Sequence, residues 1–146
     1  MTPILSPLEL SHRESIRDLL THYCYLHTAR DFAGLAGLFT EDACFESLAG
    51  PCIGRRAIEG YFAKLLPTRP AGPDRKHFVS EVLIQLQGDA ASVRSQFLMV
   101  RQAGKTVEVS AAGRYEDEVV LQEGAWRFRA RRVLVDHRGD MGLHDS

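Results

Sequence analysis

The hydrophobic pattern of this 146-residue chain changes its period once, near Arg75. Before that point apolar residues recur every three or four positions, as on one face of a helix; after it they alternate with polar residues, as in a half-buried strand. Helices followed by strands are the order expected of an α+β protein. The change of period therefore predicts three N-terminal helices packed in the concave face of a curved, mainly antiparallel sheet.

Capping residues and helix breakers set the boundaries in the first half of the chain. They predict helices from Ser6 or Ser11 to about Arg30, over residues 32–39 with Asp31 as N-cap, and from about residue 53 to near Pro67. A short strand is expected over residues 43–47, which Gly50-Pro51 breaks. A loop rich in proline and glycine, residues 67–73, follows the third helix.

The second half of the chain predicts four long strands, over residues 76–87, 92–102, 105–121 and 125–136. Short turn signals that contain glycine separate them, so the strands should form an antiparallel meander. Long antiparallel strands curl, and three helices laid on the concave side cannot fill the space completely. A pocket for a small molecule is the expected result.

Alternation along the strands predicts which side chains line this pocket. If His77 points inward, so do Val79, Glu81 and Leu83, whereas Phe78, Ser80 and Val82 point outward. Six further residues fall on inward positions: Phe45, Leu98, Val100, Val109, Ala111 and Tyr115. An outward face carries Arg127, Arg129 and Arg131 near Glu116 and Glu118, as an ion-pair lattice or a dimer surface. Core packing would explain each of the inward apolar residues equally well.

Composition limits the classes of function. A chain of 146 residues with 45% apolar content predicts one domain over residues 1–146, with a core of about 10–137 and a short flexible C-terminal tail. The net charge of −1, with acids and bases interspersed, argues against nucleic acid, and no apolar run is long enough to span a membrane. We expect a cytoplasmic protein with three free thiols, at Cys24, Cys44 and Cys52, no metal site and no cofactor.

His77 is the titratable side chain that the pattern places at the pocket. An imidazole titrates near neutrality, so a sequestered histidine can move protons without a cofactor. Tyr23 and His27 lie four apart on the first helix and share a face, where both could contact one ligand oxygen. Glu81 would lie roughly 13 Å along the strand from His77, at the other end of a ligand or paired with an arginine such as Arg94 or Arg132. A structural histidine at a strand start is the alternative for His77.

Several segments together resemble a known family: Arg30-Asp31-Phe32-Ala33-Gly34-Leu35, Leu38-Phe39-Thr40-Glu41-Asp42-Ala43, Gly54-Arg55-Arg56-Ala57-Ile58, Lys76-His77-Phe78-Val79-Ser80, Gly113-Arg114-Tyr115-Glu116-Asp117 and Arg131-Arg132-Val133-Leu134-Val135-Asp136. Their order resembles the SnoaL-like branch of the nuclear transport factor two superfamily, from about Ile16 to Asp136. The resemblance implies a cone-shaped α+β barrel, dimeric through its outer sheet face, whose cavity holds an apolar molecule. That superfamily includes polyketide cyclases, dehydratases, isomerases and the noncatalytic small subunits of ring-hydroxylating dioxygenases.

The resemblance also assigns individual positions. His77 matches the strand histidine of the dehydratases, but Thr28 stands where their acid is found, and His27 stands where scytalone dehydratase has a tyrosine. Tyr23 matches the oxyanion tyrosine of ketosteroid isomerase, whose base and second acid fall on Ser47 and Gly113. The acid dyad of these enzymes is therefore incomplete here.

Two hypotheses follow from the sequence. The first is a cofactor-independent enzyme, a cyclase, dehydratase or isomerase, that acts on an apolar cyclic or aromatic molecule. His77, His27 and Tyr23 would be catalytic, and Thr28 and Glu81 would contact substrate together with the inward apolar residues. The second is a noncatalytic small subunit or ligand-binding module related to the dioxygenase small subunits.

Overall fold

The computed structural model describes residues 4–66 and 75–140. Its helices are α1 (Pro7–Ala29), α2 (Phe32–Gly37) and α3 (Arg55–Leu65); its strands are β1 (Phe39–Ser47), β2 (Gly50–Ile53), β3 (Arg75–Gln87), β4 (Ala90–Ala103), β5 (Thr106–Gln122) and β6 (Ala125–Arg138). The strands form one curved, unclosed sheet in the order β2-β1-β6-β5-β4-β3. Neighbours are antiparallel except for β1 and β6, which are parallel. The α+β prediction is confirmed. The predicted loop, residues 67–73, and residues 141–146 of the predicted C-terminal tail lie outside the described residues.

Helix α1 begins at the first of the two predicted caps. Ser6 accepts a hydrogen bond from the backbone N–H of Glu9, and Glu9 accepts one in return from the Ser6 N–H. This reciprocal capping box satisfies two amide groups that a helix start leaves open. The helix buries one stripe, spaced at three and four residues, against the sheet: Ile16, Leu19, Leu20, Tyr23 and His27.

The short strand ends at Ser47, as predicted, but the chain makes an unpredicted hairpin there, and Gly50-Pro51 begins the second strand, β2. Ser47 pairs with Gly50 across a two-residue turn, and Gly50 takes a φ of 99°, which a glycine adopts without strain. Pro51 then lies in β2, at the edge of the sheet, where its missing N–H costs no central pairing. β1 also begins earlier than predicted, at Phe39.

A β-bulge in β3 overturns part of the predicted lining. Glu81 has a φ of 53°, and the pairing with β4 shifts between Ser80 and Leu83. The extra residue reverses the alternation that follows it. Glu81 and Leu83, predicted to point inward, are therefore exposed, and Val82, predicted to point outward, packs against the core. Glu81 accepts a hydrogen bond of 2.6 Å from Gln96 and no ion pair with Arg94 or Arg132 is present among the described residues.

The inward prediction for Leu98, Val100 and Val109 is also wrong. Leu98 lies directly opposite Phe78, and cross-strand partners share a face, so both point outward, with exposed fractions of 39% and 53%. Val100 lies opposite Lys76 and follows the same face. In β5 the pairing skips Ser110, which is buried beside Ala111; this second bulge leaves Val109 exposed.

A third bulge changes the position of Arg131. In β6 the pairing shifts between Phe128 and Ala130, so that Arg129 is unpaired and exposed. Arg131 therefore points into the core and is 1% exposed, against the prediction of an outer face. Arg127 is half-buried and donates a hydrogen bond to the carbonyl oxygen of Gly37, so it also leaves the predicted surface lattice.

Gly113 lies against the backbone of Leu134 and the ring of Phe97. A Cβ atom at this position would lie 2.9 Å from two ring carbons of Phe97 and still closer to the carbonyl oxygen of Leu134. Because that oxygen is backbone, little can move away. The glycine therefore lets β5 curve against β6 beneath the Phe97 ring.

Candidate functional site

A cavity of about 270 Å³ lies between α1, α3 and the inner face of the sheet. Its wall is mainly apolar and aromatic, as in many small-molecule sites. Six residues that the sequence predicted for the site line it: Tyr23, His27, Phe45, His77, Ala111 and Tyr115. The remaining predicted residues, Thr28, Glu81, Leu98, Val100 and Val109, are not part of its wall. Thr28 is half-buried next to His27 on α1.

The central feature of the wall is a pair of histidines. His27 projects from α1 and His77 from β3, and their ring centroids lie 4.2 Å apart with the planes tilted by 55°. The Nδ1 atom of each ring is inaccessible to solvent and has no hydrogen-bond partner among the described residues. Two ring nitrogens without partners are unusual in a protein interior, where polar atoms are normally paired.

The surroundings of the pair favour neutral imidazoles. Burial, with the positive charges of Arg75 and Arg131, lowers the pKa of His77 from 6.5 to about 4. Burial, followed by the effects of His77 and Arg75, lowers the pKa of His27 well below 6.5. Both rings are therefore uncharged at neutral pH, and each has one nitrogen able to accept a proton.

Below the histidines lies a buried arginine enclosed by aromatic rings. The guanidinium carbon of Arg131 is 3.6 Å from the ring centroid of Tyr115, 4.1 Å from that of Tyr23 and 4.5 Å from that of Phe128. A cation over ring faces is attracted by their negative quadrupole, most strongly away from water. The Tyr23 ring also contacts His27, with centroids 5.9 Å apart, so Tyr23 connects this aromatic cage to the histidine pair.

Asp117 is the counter-charge of Arg131, 3.6 Å away, and both side chains are fully buried. Burial raises the pKa of Asp117 to about 7, although Arg131 opposes the shift. Burial lowers the pKa of Arg131, but Asp117 and the two tyrosines raise it by more, so the guanidinium remains charged. Burial likewise raises the pKa of Tyr23 and of Tyr115 above 10, which leaves both phenols protonated.

Among the wall residues that the sequence did not predict are Arg75, Phe97 and Met99. Arg75 stands two positions before His77, so the alternation that placed His77 inward could have found it. Met99 lies opposite His77 in the register, and Phe97 is two positions from it. Once Phe78 is placed outward, its cross-strand partner Leu98 must also point outward. Alternation along β4 then places Phe97 and Met99 inward.

Two further observations bear on cofactors and membranes. No three histidine, cysteine or acidic side chains in the described part of the chain lie close enough together to hold a metal ion. Within residues 4–66 and 75–140, none of the helices combines the length and the apolar character that crossing a bilayer requires.

The model of the SnoaL-like domain matches residues 8–132 of the chain. The chain belongs to the SnoaL-like family. A search of curated proteins gives no significant match. A solved structure from Mycobacterium tuberculosis, of unknown function, is 27% identical with a TM-score of 0.78, over 88% of this chain and 78% of that one.

Two other similar solved structures are of proteins named for a candidate function. A candidate scytalone dehydratase from Novosphingobium aromaticivorans is 24% identical with a TM-score of 0.75, over 90% of this chain and 88% of that one. The beta subunit of a candidate aromatic-ring-hydroxylating dioxygenase from the same organism is 16% identical with a TM-score of 0.77, over 89% and 92%. At these identities the likeness concerns the fold alone.

Proposed function

We propose that this SnoaL-like protein is a cofactor-independent enzyme that moves a proton on an apolar cyclic or aromatic molecule, as a cyclase, dehydratase or isomerase. The observation that carries the proposal is the contact between His27 and His77 at the cavity wall, with an unpartnered Nδ1 on each ring. Neutral, sequestered imidazoles surrounded by apolar wall are suited to general base and general acid catalysis.

The roles of the three residues follow from their positions. His77 accepts the substrate proton, because it lines the cavity from the sheet and its neutral ring has one nitrogen able to accept a proton. Tyr23 stays protonated and is therefore a hydrogen-bond donor that can polarise a carbonyl or hydroxyl. His27 lies between them and either orients His77 or returns the proton. Donors fixed in a site that excludes water stabilise a developing negative charge without having to reorganise.

A specific observation favours a second candidate function, a noncatalytic subunit or ligand-binding module. None of the described cavity-lining residues is a carboxylate, and the position of the usual acid is occupied by Thr28. The strand half also resembles the dioxygenase small subunits. In that case the cavity would bind a ligand, or be a remnant, and His77 could be replaced without loss of function.

Turnover of 5-nitrobenzisoxazole tests the first proposal. This aromatic bicycle opens when a base removes its carbon-bound proton, so it reports a general base without knowledge of the natural substrate. We expect an acceleration of roughly 10² to 10⁴ over buffer. The rate should rise with pH and level off above the pKa of His77, about 4, because only the neutral ring accepts a proton.

The matched control for this assay is another histidine. His77→Gln should abolish the acceleration, while His22→Gln, on the exposed side of α1, should retain it. Equal turnover by folded His77→Gln and wild-type protein would end the enzymatic proposal. As a second assay, mass spectrometry of ligands retained through purification would identify a natural substrate. The same two variants would be tested with it. Stable co-purification with an iron–sulfur oxygenase subunit would instead support the second function.

A homodimer through the outer sheet face is the remaining part of the proposal. Phe78, Leu98 and Val109 form an exposed apolar strip on β3, β4 and β5, of the kind that interfaces cover. Sedimentation analysis should give a dimer for the wild type and a monomer for Leu98→Glu. A monomeric wild type would refute this part without affecting the cavity chemistry.

A further inference from the structure

The charge of the cavity wall is one-sided. Arg75 lines the cavity and is 4% exposed, and two histidines lie beside it, whereas none of the described lining residues is an aspartate or glutamate. A guanidinium buried in a mainly apolar wall needs polar or charged partners, and its five N–H donors allow more than one. The wall therefore combines a cationic end with an aromatic remainder.

The geometry directs this positive charge at the histidine pair. Arg75 and His77 are two positions apart on β3 and so point to the same side of the sheet. The charge of Arg75 acts on both His27 and His77, and that of Arg131, from below the cavity, acts on the same two rings. An anionic ligand oxygen at this end would meet donors and positive charge together.

We propose that the cavity binds an aromatic compound that carries an acidic oxygen, a carboxylate or an ionised phenol, held jointly by Arg75 and His77. This substrate class rests on the proposed function and deepens it. Arg75 also has a partner within the chain. Because a guanidinium has five N–H donors, it can bind a ligand oxygen and that partner at the same time. The aromatic part of the ligand packs against Phe45, Phe97 and Met99.

Such a ligand would change the chemistry of His77. In the empty cavity its pKa of about 4 makes it a weak base at neutral pH. An anion within a few ångströms favours the protonated imidazole and raises its pKa toward the operating range, where general bases work best. Related dehydratases have an acid where this chain has Thr28. The substrate itself would thus supply the negative charge that this position lacks.

Calorimetric titration with two probes of the same shape tests this assignment. Naphthalene-2-carboxylate carries the acidic oxygen, and 2-naphthylmethanol is its neutral counterpart. We expect the carboxylate to bind roughly tenfold to a hundredfold more tightly, as befits a charge-assisted hydrogen bond. Binding at about pH 5.5 should take up a proton, measured with buffers of different ionisation enthalpy, because the anion raises the pKa of His77.

Two arginine variants complete the test. Arg75→Met should lose the preference for the carboxylate while still binding the alcohol. Arg101→Met is the matched control, because Arg101 lies opposite Arg75 on β4 but is not part of the cavity wall, and pairs with Asp140. It should retain the preference. If Arg75→Met fails to fold, the preference of the wild type and its reduction in Arg75→Lys decide the matter.

The outcomes separate this inference from the proposed function. Equal affinity for the two probes, or no binding of either, would overturn the acidic-ligand assignment, even if His77-dependent turnover of 5-nitrobenzisoxazole remained. Selective binding of the carboxylate without any turnover would keep the assignment and remove the enzymatic role. A third probe, 2-naphthol, distinguishes the two oxygen acids: affinity that rises as the naphthol ionises indicates a phenolate.

Discussion

Replacing His77 by phenylalanine should change how the stability of the protein depends on pH. The unfolded chain binds a proton at His77 near pH 6.5, whereas the folded protein takes it up only near pH 4. The free energy of unfolding therefore falls as the pH falls through this window, since the unfolded state binds more protons there. The interval from 6.5 to about 4, at about 1.36 kcal/mol per pH unit, corresponds to about 3 kcal/mol.

His77→Phe cannot bind this proton and keeps an aromatic ring beside His27. Its unfolding free energy relative to the wild type should therefore improve by up to about 3 kcal/mol between about pH 7 and about pH 4. Urea unfolding, followed by the fluorescence of the single tryptophan, Trp126, measures both proteins across this range. The comparison with wild type is essential, because Asp117 acts in the opposite sense: its raised pKa stabilises the folded state below about pH 4, and this is lost as the pH rises through about 7.

Met99→Ala is the control for this experiment. Met99 lies opposite His77, lines the same cavity and does not titrate. Its truncation should lower stability by about 2–5 kcal/mol at every pH, so its curve should run parallel to that of the wild type. Parallel curves for His77→Phe and the wild type would refute the claim that the His77 imidazole is kept neutral by its surroundings.

Two further predictions concern backbone and charge. Gly113→Ala should cost about 1–3 kcal/mol or more in urea unfolding, because its methyl group has no space. Gly60→Ala, exposed in α3 with nothing near it, should stabilise by about 0.5–1 kcal/mol in the same measurement. Asp117→Ala should lower the free energy of unfolding by about 3–5 kcal/mol, because it leaves the Arg131 charge buried without its counter-charge. The double variant Asp117→Ala/Arg131→Met, measured by urea unfolding, should recover part of that loss. An equally unstable double variant would contradict the pairing.

The helices were predictable because local rules set them. The capping box at Ser6 and the N-cap at Asp31, which accepts a hydrogen bond from the Gly34 N–H, are determined by residues within one turn. The long strands and their meander followed from alternation and turn residues for the same reason. What alternation could not supply was the position of a bulge, because no residue type requires one.

That limit explains part of the outcome at the site; Leu98 and Val100 were misplaced although they pair with β3 without a shift, because their face is set by their partners Phe78 and Lys76. His77 and Phe45 lie in parts of their strands that no bulge has shifted, so counting in twos placed them correctly. Glu81 and Val109 lie at or next to bulges and were misplaced. His27 and Tyr23 were found from helix spacing, but the contact of His27 with His77, 50 positions away on β3, depends on how α1 crosses the sheet. The buried position of Arg131 depends both on the bulge at Arg129 and on the packing of α1 against the sheet, which brings Tyr23 onto its guanidinium.

The bulge at Arg129 makes the protein tolerant of one kind of genetic change and intolerant of another. A substitution at this exposed position alters little beyond the surface, and removal of its codon would take away only the extra residue, so that Ala130 still pairs with Glu118 and Arg131 with Asp117. Arg131 would keep its inward position, whereas removal of a codon from the regularly paired stretch after the bulge would turn the side chains that follow it to the opposite face. Loss of a residue at the bulge, rather than within the paired stretches, is therefore what this strand should accept over evolutionary time.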